Sequence, residues 1–230
     1  MRALLLLALT AAPAIAADRT VGIGSFDRLR VSGPFEVRVA AGGSPAARLS
    51  GTKEAIEAVQ VRADGRTLTV SPGASAWGER PRTGAAEPVA VTLGTPALAS
   101  ITSVAGARVS ATGVKGERVE VAVTGAGEVS VTDMMAGDLR VTLIGAGTVT
   151  VAGRAARVRL VANGPGTIDA AALEAGELIV RLDGPGTVKA RARYGADVSN
   201  TGLGTVTIAG EPKCTVRSVA GGPVACGSSR

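Results

Sequence analysis

The chain has 230 residues, a formal net charge of +6 and 46% hydrophobic residues, yet only 2% aromatics. Val, Leu and Ala must therefore fill the interior, which suits a narrow core more than a broad one. The Lys and Arg stand singly, with no basic run and no interleaved aromatics. That pattern argues against nucleic acid and reads as a solvated surface with a weak attraction to anionic envelope polymers.

In chain order, the first residues read as an address. Met1-Arg2 is a short positive start, Ala3 to Leu9 an apolar run, and Ala14-Ile15-Ala16 a small-x-small cleavage site. Residues 1–16 are expected to be a secretory signal peptide, too short to span a bilayer and cleaved after Ala16. No lipid-acceptor cysteine follows the cleavage site. The mature chain is expected to be exported, periplasmic or secreted to the cell surface, with no transmembrane segment.

Residues 17–96 show strand-like alternation at Leu29, Val31, Phe35, Val37 and Val39, and again at Val59, Val61, Leu68 and Val70. Lys53 to Val59, preceded by Gly51-Thr52, reads as a short helix. Trp77, in the loose stretch from Ser71 to Pro88, reads as packing or loop. This region is expected to be an irregular β cap.

Residues 97–211 carry the strongest signal, a repeated Gly-x-Gly. The pairs are Gly125 and Gly127, Gly145 and Gly147, Gly164 and Gly166, Gly184 and Gly186, and Gly202 and Gly204. The leading glycines stand 20, 19, 20 and 18 residues apart. Apolar residues recur at every second position around each pair. Six before the leading Gly are Val119, Leu139, Val158, Leu178 and Ala196; four before are Val121, Val141, Leu160, Val180 and Val198. Two before are Val123, Leu143, Ala162, Leu182 and the exception Asn200. Four after are Val129, Val149, Ile168, Val188 and Val206.

This alternation predicts two strands per repeat. One corner falls at Gly-x-Gly, and a second near Gly116, Gly137, Gly176 or Gly195. A single coil cannot bury its apolar stripe, so stacked coils of about twenty residues follow. The fold expected is all-β, a parallel β-helix or β-solenoid. An antiparallel meander would show the same alternation, but like residues aligning at constant period favours the solenoid. The glycines need no function, since a left-handed corner selects glycine in every coil.

Residues 212–230 hold Cys214 and Cys226, the only cysteines. In an exported chain they are expected to form a disulfide, closing a terminal loop. The spacing is not that of a redox or metal pair, and the chain lacks histidine.

Chemistry finds little support. No catalytic, cofactor-binding or metal-binding residue is assigned. The glycine pairs lack the following helix of a dinucleotide fingerprint. Gly164 to Asp169 resembles a calcium nonapeptide only faintly. Candidate acids are Glu128, Asp133, Asp138, Asp169 and Asp183. No two recur as a pair, whereas a glycosidase needs two carboxyls about 5 to 9.5 Å apart. Outward positions carry Thr148, Thr167, Thr187 and Thr205, with Ser130, Thr150, Asp169, Lys189 and Thr207 beyond them. Such an array raises ice binding, but only two coils give a full Thr-x-Thr, and exposed strands favour Thr without any ligand.

The chain resembles the bacterial putative auto-transporter adhesin head GIN domain family. The resemblance rests on Val21, Phe26, the run Leu29-Arg30-Val31-Ser32-Gly33-Pro34-Phe35-Glu36-Val37-Arg38-Val39, Leu68-Thr69-Val70, Val89-Ala90-Val91-Thr92-Leu93, and the Gly-x-Gly coils. It implies a β-helix related in shape to pectin-lyase-like proteins, no known catalytic residues, and adhesion at the cell surface. The expected function is a non-catalytic envelope or surface module. Its partner would be a surface polysaccharide or protein bound through the solenoid faces, and self-association is compatible with it. The alternatives are a polysaccharide-active enzyme using carboxylates and a purely structural periplasmic domain.

Overall fold

The computed structural model describes residues 17–73 and 89–227. The expected signal peptide and Trp77 lie outside the described residues. The chain forms β1 (Ala17–Val21), β2 (Arg28–Ser32), β3 (Glu36–Ala41), β4 (Ala46–Gly51), α1 (Lys53–Glu57), β5 (Val59–Asp64) and β6 (Thr67–Pro72). There follow β7 (Ala90–Thr95), β8 (Ser100–Val104), β9 (Arg108–Thr112) and β10 (Lys115–Thr124). The long strands are β11 (Glu128–Ile144), β12 (Thr148–Asn163), β13 (Thr167–Asp183) and β14 (Thr187–Asn200). Last come β15 (Thr205–Ala209), β16 (Lys213–Ser218) and β17 (Val224–Cys226).

The architecture is a β-solenoid of stacked coils about 20 residues long. Strands β10 to β15 pair in parallel, each coil on the one before it. Between β11 and β12 the ladder has three stretches: 128–131 with 148–151, 134–136 with 153–155, and 138–144 with 157–163. A coil thus has a first wall, a short wall and a long wall, where alternation alone predicted two strands.

A coil therefore has two bends besides the Gly-x-Gly corner. Between the first and short walls, where no corner was expected, left-handed backbone occurs at Gly113, Asp133 and Gly153 in successive coils. Between the short and long walls the ladders skip Gly137 and Gly176, near which the second corner was expected. A Cβ on Gly176 would stand 2.6 Å from the Ala156 carbonyl oxygen, so that bend also requires close stacking.

The Gly-x-Gly corners divide the same two roles. Gly125, Gly145, Gly164 and Gly184 have φ between +97° and +114°, where a side chain is strained. The second glycines are not left-handed. A Cβ on Gly147 would lie 2.5 Å from the Gly127 carbonyl oxygen.

The inward columns stand in register. Val121, Val141, Leu160, Val180 and Val198 align one above another and are buried. Asn200 breaks the apolar column beside Leu182, and its side chain closes the Gly202–Gly204 corner. Its Nδ2 donates to the Gly204 carbonyl (2.8 Å), and the Gly202 N–H donates to its Oδ1 (3.2 Å).

Stacking continues into the N-terminal part in an unexpected order. β2 pairs in parallel with both β6 and β8, and β3 with both β7 and β9. The β2–β3 coil therefore sits between the β6–β7 and β8–β9 coils, although it comes first in the chain. Beyond it, β5 on β6, β4 on β7 and β1 on β4 run antiparallel. α1 is capped by Thr52, whose hydroxyl accepts the Ala55 N–H, and it buries Ile56. It ends at Glu57 because Val59 begins a strand.

At the other end, β16 pairs in parallel with β14 and β17 with β15. The register carries Cys214 onto Ala196 and Cys226 onto Ile208. The two sulfurs lie at disulfide distance, 2.06 Å.

Candidate binding surface

A solenoid turns chain positions about twenty residues apart into neighbours. Adjacent strands lie about 4.8 Å apart, so each outward column is a row of side chains at that spacing. The three walls present three different rows.

The first wall carries Glu128, Thr148, Thr167, Thr187 and Thr205 in register. A second column holds Ser110, Ser130, Thr150, Asp169, Lys189 and Thr207. The charges of this wall come close to cancelling. Arg108 meets Glu128 at 3.8 Å, Arg38 pairs with Glu36, and Lys189 aligns with Asp169.

The short wall forms a cleft of about 610 Å³ with a floor of Ala136, Ala155, Ala175 and Ala192. Arg154 and Glu174 pair at 3.6 Å on its rim. At its end Tyr194 is exposed, with the Arg193 guanidinium 5.2 Å from its ring centroid.

The long wall is the most charged. One column alternates in sign: Arg118, Asp138, Arg157, Glu177. Within it Arg157 Nε and Nη2 donate to the two Asp138 carboxylate oxygens at 2.6 and 2.8 Å. That bidentate bond holds the Asp138 carboxyl below the ordinary carboxylate range and raises Arg157. At the β1 end, hydrogen bonds from Arg48 and Ser50 do the same to Asp18. The next long-wall column, Glu120, Arg140, Arg159, Ile179, Asp197, does not alternate.

The candidate acids are dispersed. Glu128 and Asp169 lie on the first wall in different columns. Asp133 occupies the left-handed bend. Asp138 is bound to Arg157, and Asp183 ends the long wall beside Asn163. The Asp169 carboxylate accepts the Ala171 N–H at 3.1 Å. The walls do not bring these five together. Among the described residues no cluster of three metal-ligating side chains occurs, and no helix is long and apolar enough to cross a membrane.

Single arginines in the chain gave no sign of the long-wall rows, though counting residues modulo the repeat would have aligned them.

The family described as putative auto-transporter adhesin, head GIN domain, matches residues 25–212. Among solved structures, a putative adhesin from Bacteroides fragilis NCTC 9343 is similar at 19% identity and a TM-score of 0.83, covering 94% of this chain and 98% of that one. A putative adhesin from Parabacteroides distasonis ATCC 8503 is similar at 15% identity and a TM-score of 0.72, covering 92% and 96%. A putative lipid binding protein from the same organism is similar at 16% identity and a TM-score of 0.66, covering 94% and 95%. These likenesses establish the fold. No curated protein matches the chain.

Proposed function

The chain belongs to the putative auto-transporter adhesin head GIN family, and from that premise we propose that it is a non-catalytic binding module of the cell envelope or surface. It engages its partner through the outward walls of the stack. The observation that carries this reading is the set of long in-register side-chain rows, against five candidate acids dispersed over different walls. Repeated rows suit an extended partner contacted many times weakly, the mode in which solenoids present broad surfaces. The family's adhesin description supports a surface or envelope location. In this reading residues 1–16 direct export. The antiparallel strands β1, β4 and β5 shield one end of the stack, and a Cys214–Cys226 disulfide holds the other.

Deleting the protein from its host should reduce attachment or biofilm formation and leave growth on polysaccharides unchanged. Unaltered attachment would count against the reading, and lost growth on a polysaccharide would favour an enzyme.

A further inference from the structure

The arginines that stand singly in the chain are gathered by the stack. Arg140 and Arg159 are direct neighbours in register on β11 and β12. Arg181, one coil further and two positions along the wall, continues their line on β13. Arg217, beyond Ser199 in the column of Arg181, ends it on β16. Four coil steps give this track a length of roughly 19 Å. None of the four arginines forms an ion pair among the described residues.

The neighbouring column is an internal comparison. There Arg118, Asp138, Arg157 and Glu177 alternate, so each cation has an acid on the next coil, whereas on the track only Arg140 has one, Glu120. Like charges directly opposite on adjacent strands are destabilising. The Arg140–Arg159 step carries that cost in the free protein, and an anion lying between them would relieve it. Two surface clefts of about 500 Å³ each adjoin along the track and share Arg159 and Ile179. Asn163 and Ser199 offer polar groups there, and half-buried Val161 and Ile179 offer small apolar contacts.

We propose that the long wall binds a polyanionic glycan, a linear polysaccharide bearing carboxylate groups, laid across the coils along Arg140, Arg159, Arg181 and Arg217. This deepens, and rests on, the reading of the chain as a binding module. The guanidinium fork matches a carboxylate bidentately. A row open at both ends and spanning several coils suits a polymer better than a single small anion. A lipid surface would ask for apolar side chains projecting among the cations. On this wall, among the described residues, the exposed large apolar side chains are Ile144, at the margin beside the Gly145 corner, and Val216, on the terminal strand of the stack.

The test uses the whole chain, with polygalacturonate as the anionic probe, dextran as the neutral one, and phosphatidylglycerol vesicles. Polygalacturonate should be bound at low salt and released as salt rises, with dextran and vesicles bound far less. Arg140→Gln with Arg159→Gln should weaken polygalacturonate binding by about tenfold. Arg38→Gln with Arg108→Gln removes the same charge from the first wall and should change it less than about twofold. Equal loss in the two double variants, no loss in the long-wall variant, or preference for vesicles would overturn the proposal. Retention on isolated cell envelopes separates the levels. A chain that binds envelopes but not polygalacturonate loses this proposal alone, and one that binds neither loses the functional reading as well.

Discussion

Cys214 and Cys226 face each other across the interior of the last coil, with 6.3 Å between their Cα atoms. Each occupies an inward column: Cys214 follows Leu178 and Ala196, and Cys226 follows Ile208. Among the described residues no further coil buries the ladder above them, and Val216 and Val219 are exposed. The sulfur pair therefore takes the place that aliphatic packing holds in the middle of the stack.

Because each coil contacts only its neighbours, loss of this pair should act locally. With the pair read as a disulfide, the double substitution Cys214→Ser and Cys226→Ser removes a cross-link worth about 3 kcal/mol by chain entropy. Hydrogen exchange should accelerate in β16 and β17 and stay slow in β11 to β13. Uniform loss of protection along the whole chain would show that the stack melts as one unit.

Two buried polar side chains in equivalent positions should respond in opposite ways. Asn200 pairs through both its Nδ2 and its Oδ1 with the Gly202–Gly204 corner, whereas the Ser103 hydroxyl is buried without a partner among the described residues. Asn200→Leu restores the column's apolar pattern but orphans two backbone groups, and should cost about 1–3 kcal/mol. Ser103→Ala removes an unpaired hydroxyl and should be neutral or stabilise by up to about 1 kcal/mol. Urea unfolding of both variants checks the sign.

The second glycine of a corner should tolerate no side chain. Gly147→Ala drives a methyl toward the Gly127 carbonyl oxygen and should cost about 1–3 kcal/mol, the range for overpacking. Ala146→Ser, on the exposed residue between the two glycines, should fall within about 0.5 kcal/mol of the parent. A Gly147→Ala variant as stable as the parent would mean that adjacent coils part more easily than this stacking allows.

The Asp138–Arg157 pair sets an acid-side dependence. Arg157 lowers the folded carboxyl below its unfolded value of 3.8. The pair's contribution is therefore fully present above that value and is lost as pH falls through the lower folded value. Melting temperatures of the parent and of Asp138→Asn should differ above about pH 4 and converge in stronger acid. A gap that persists unchanged to pH 2 would show that the pair's effect is steric.

The glycine period made the interior legible in the sequence. Val121, Val141, Leu160, Val180 and Val198 fall in register where alternation places them. Gly137 and Gly176 mark the bend between the short and long walls, near where a second corner was expected. The further bend between the first and short walls was not legible, because it uses Asp133 in one coil and Gly153 in the next, a pattern too irregular to see. The insertion of the β2–β3 coil between two later coils was invisible, since its corner at Gly33-Pro34-Phe35 lacks Gly-x-Gly and register alone decides it. The last coil hid because Gly222 takes the place of Gly204 with no glycine two residues before it. Arg140 and Arg159 looked isolated because a charge's neighbours in a solenoid lie one coil away.

The claim that the chain acts by binding, without chemistry, is tested most directly by cosedimentation with isolated cell envelopes. The sedimented material is assayed at the same time for released reducing ends. The account predicts saturable retention of the chain and no product above a protein-free control. Retention that never saturates, or product that appears with the parent and vanishes with Asp169→Ala and Asp183→Ala, would contradict it.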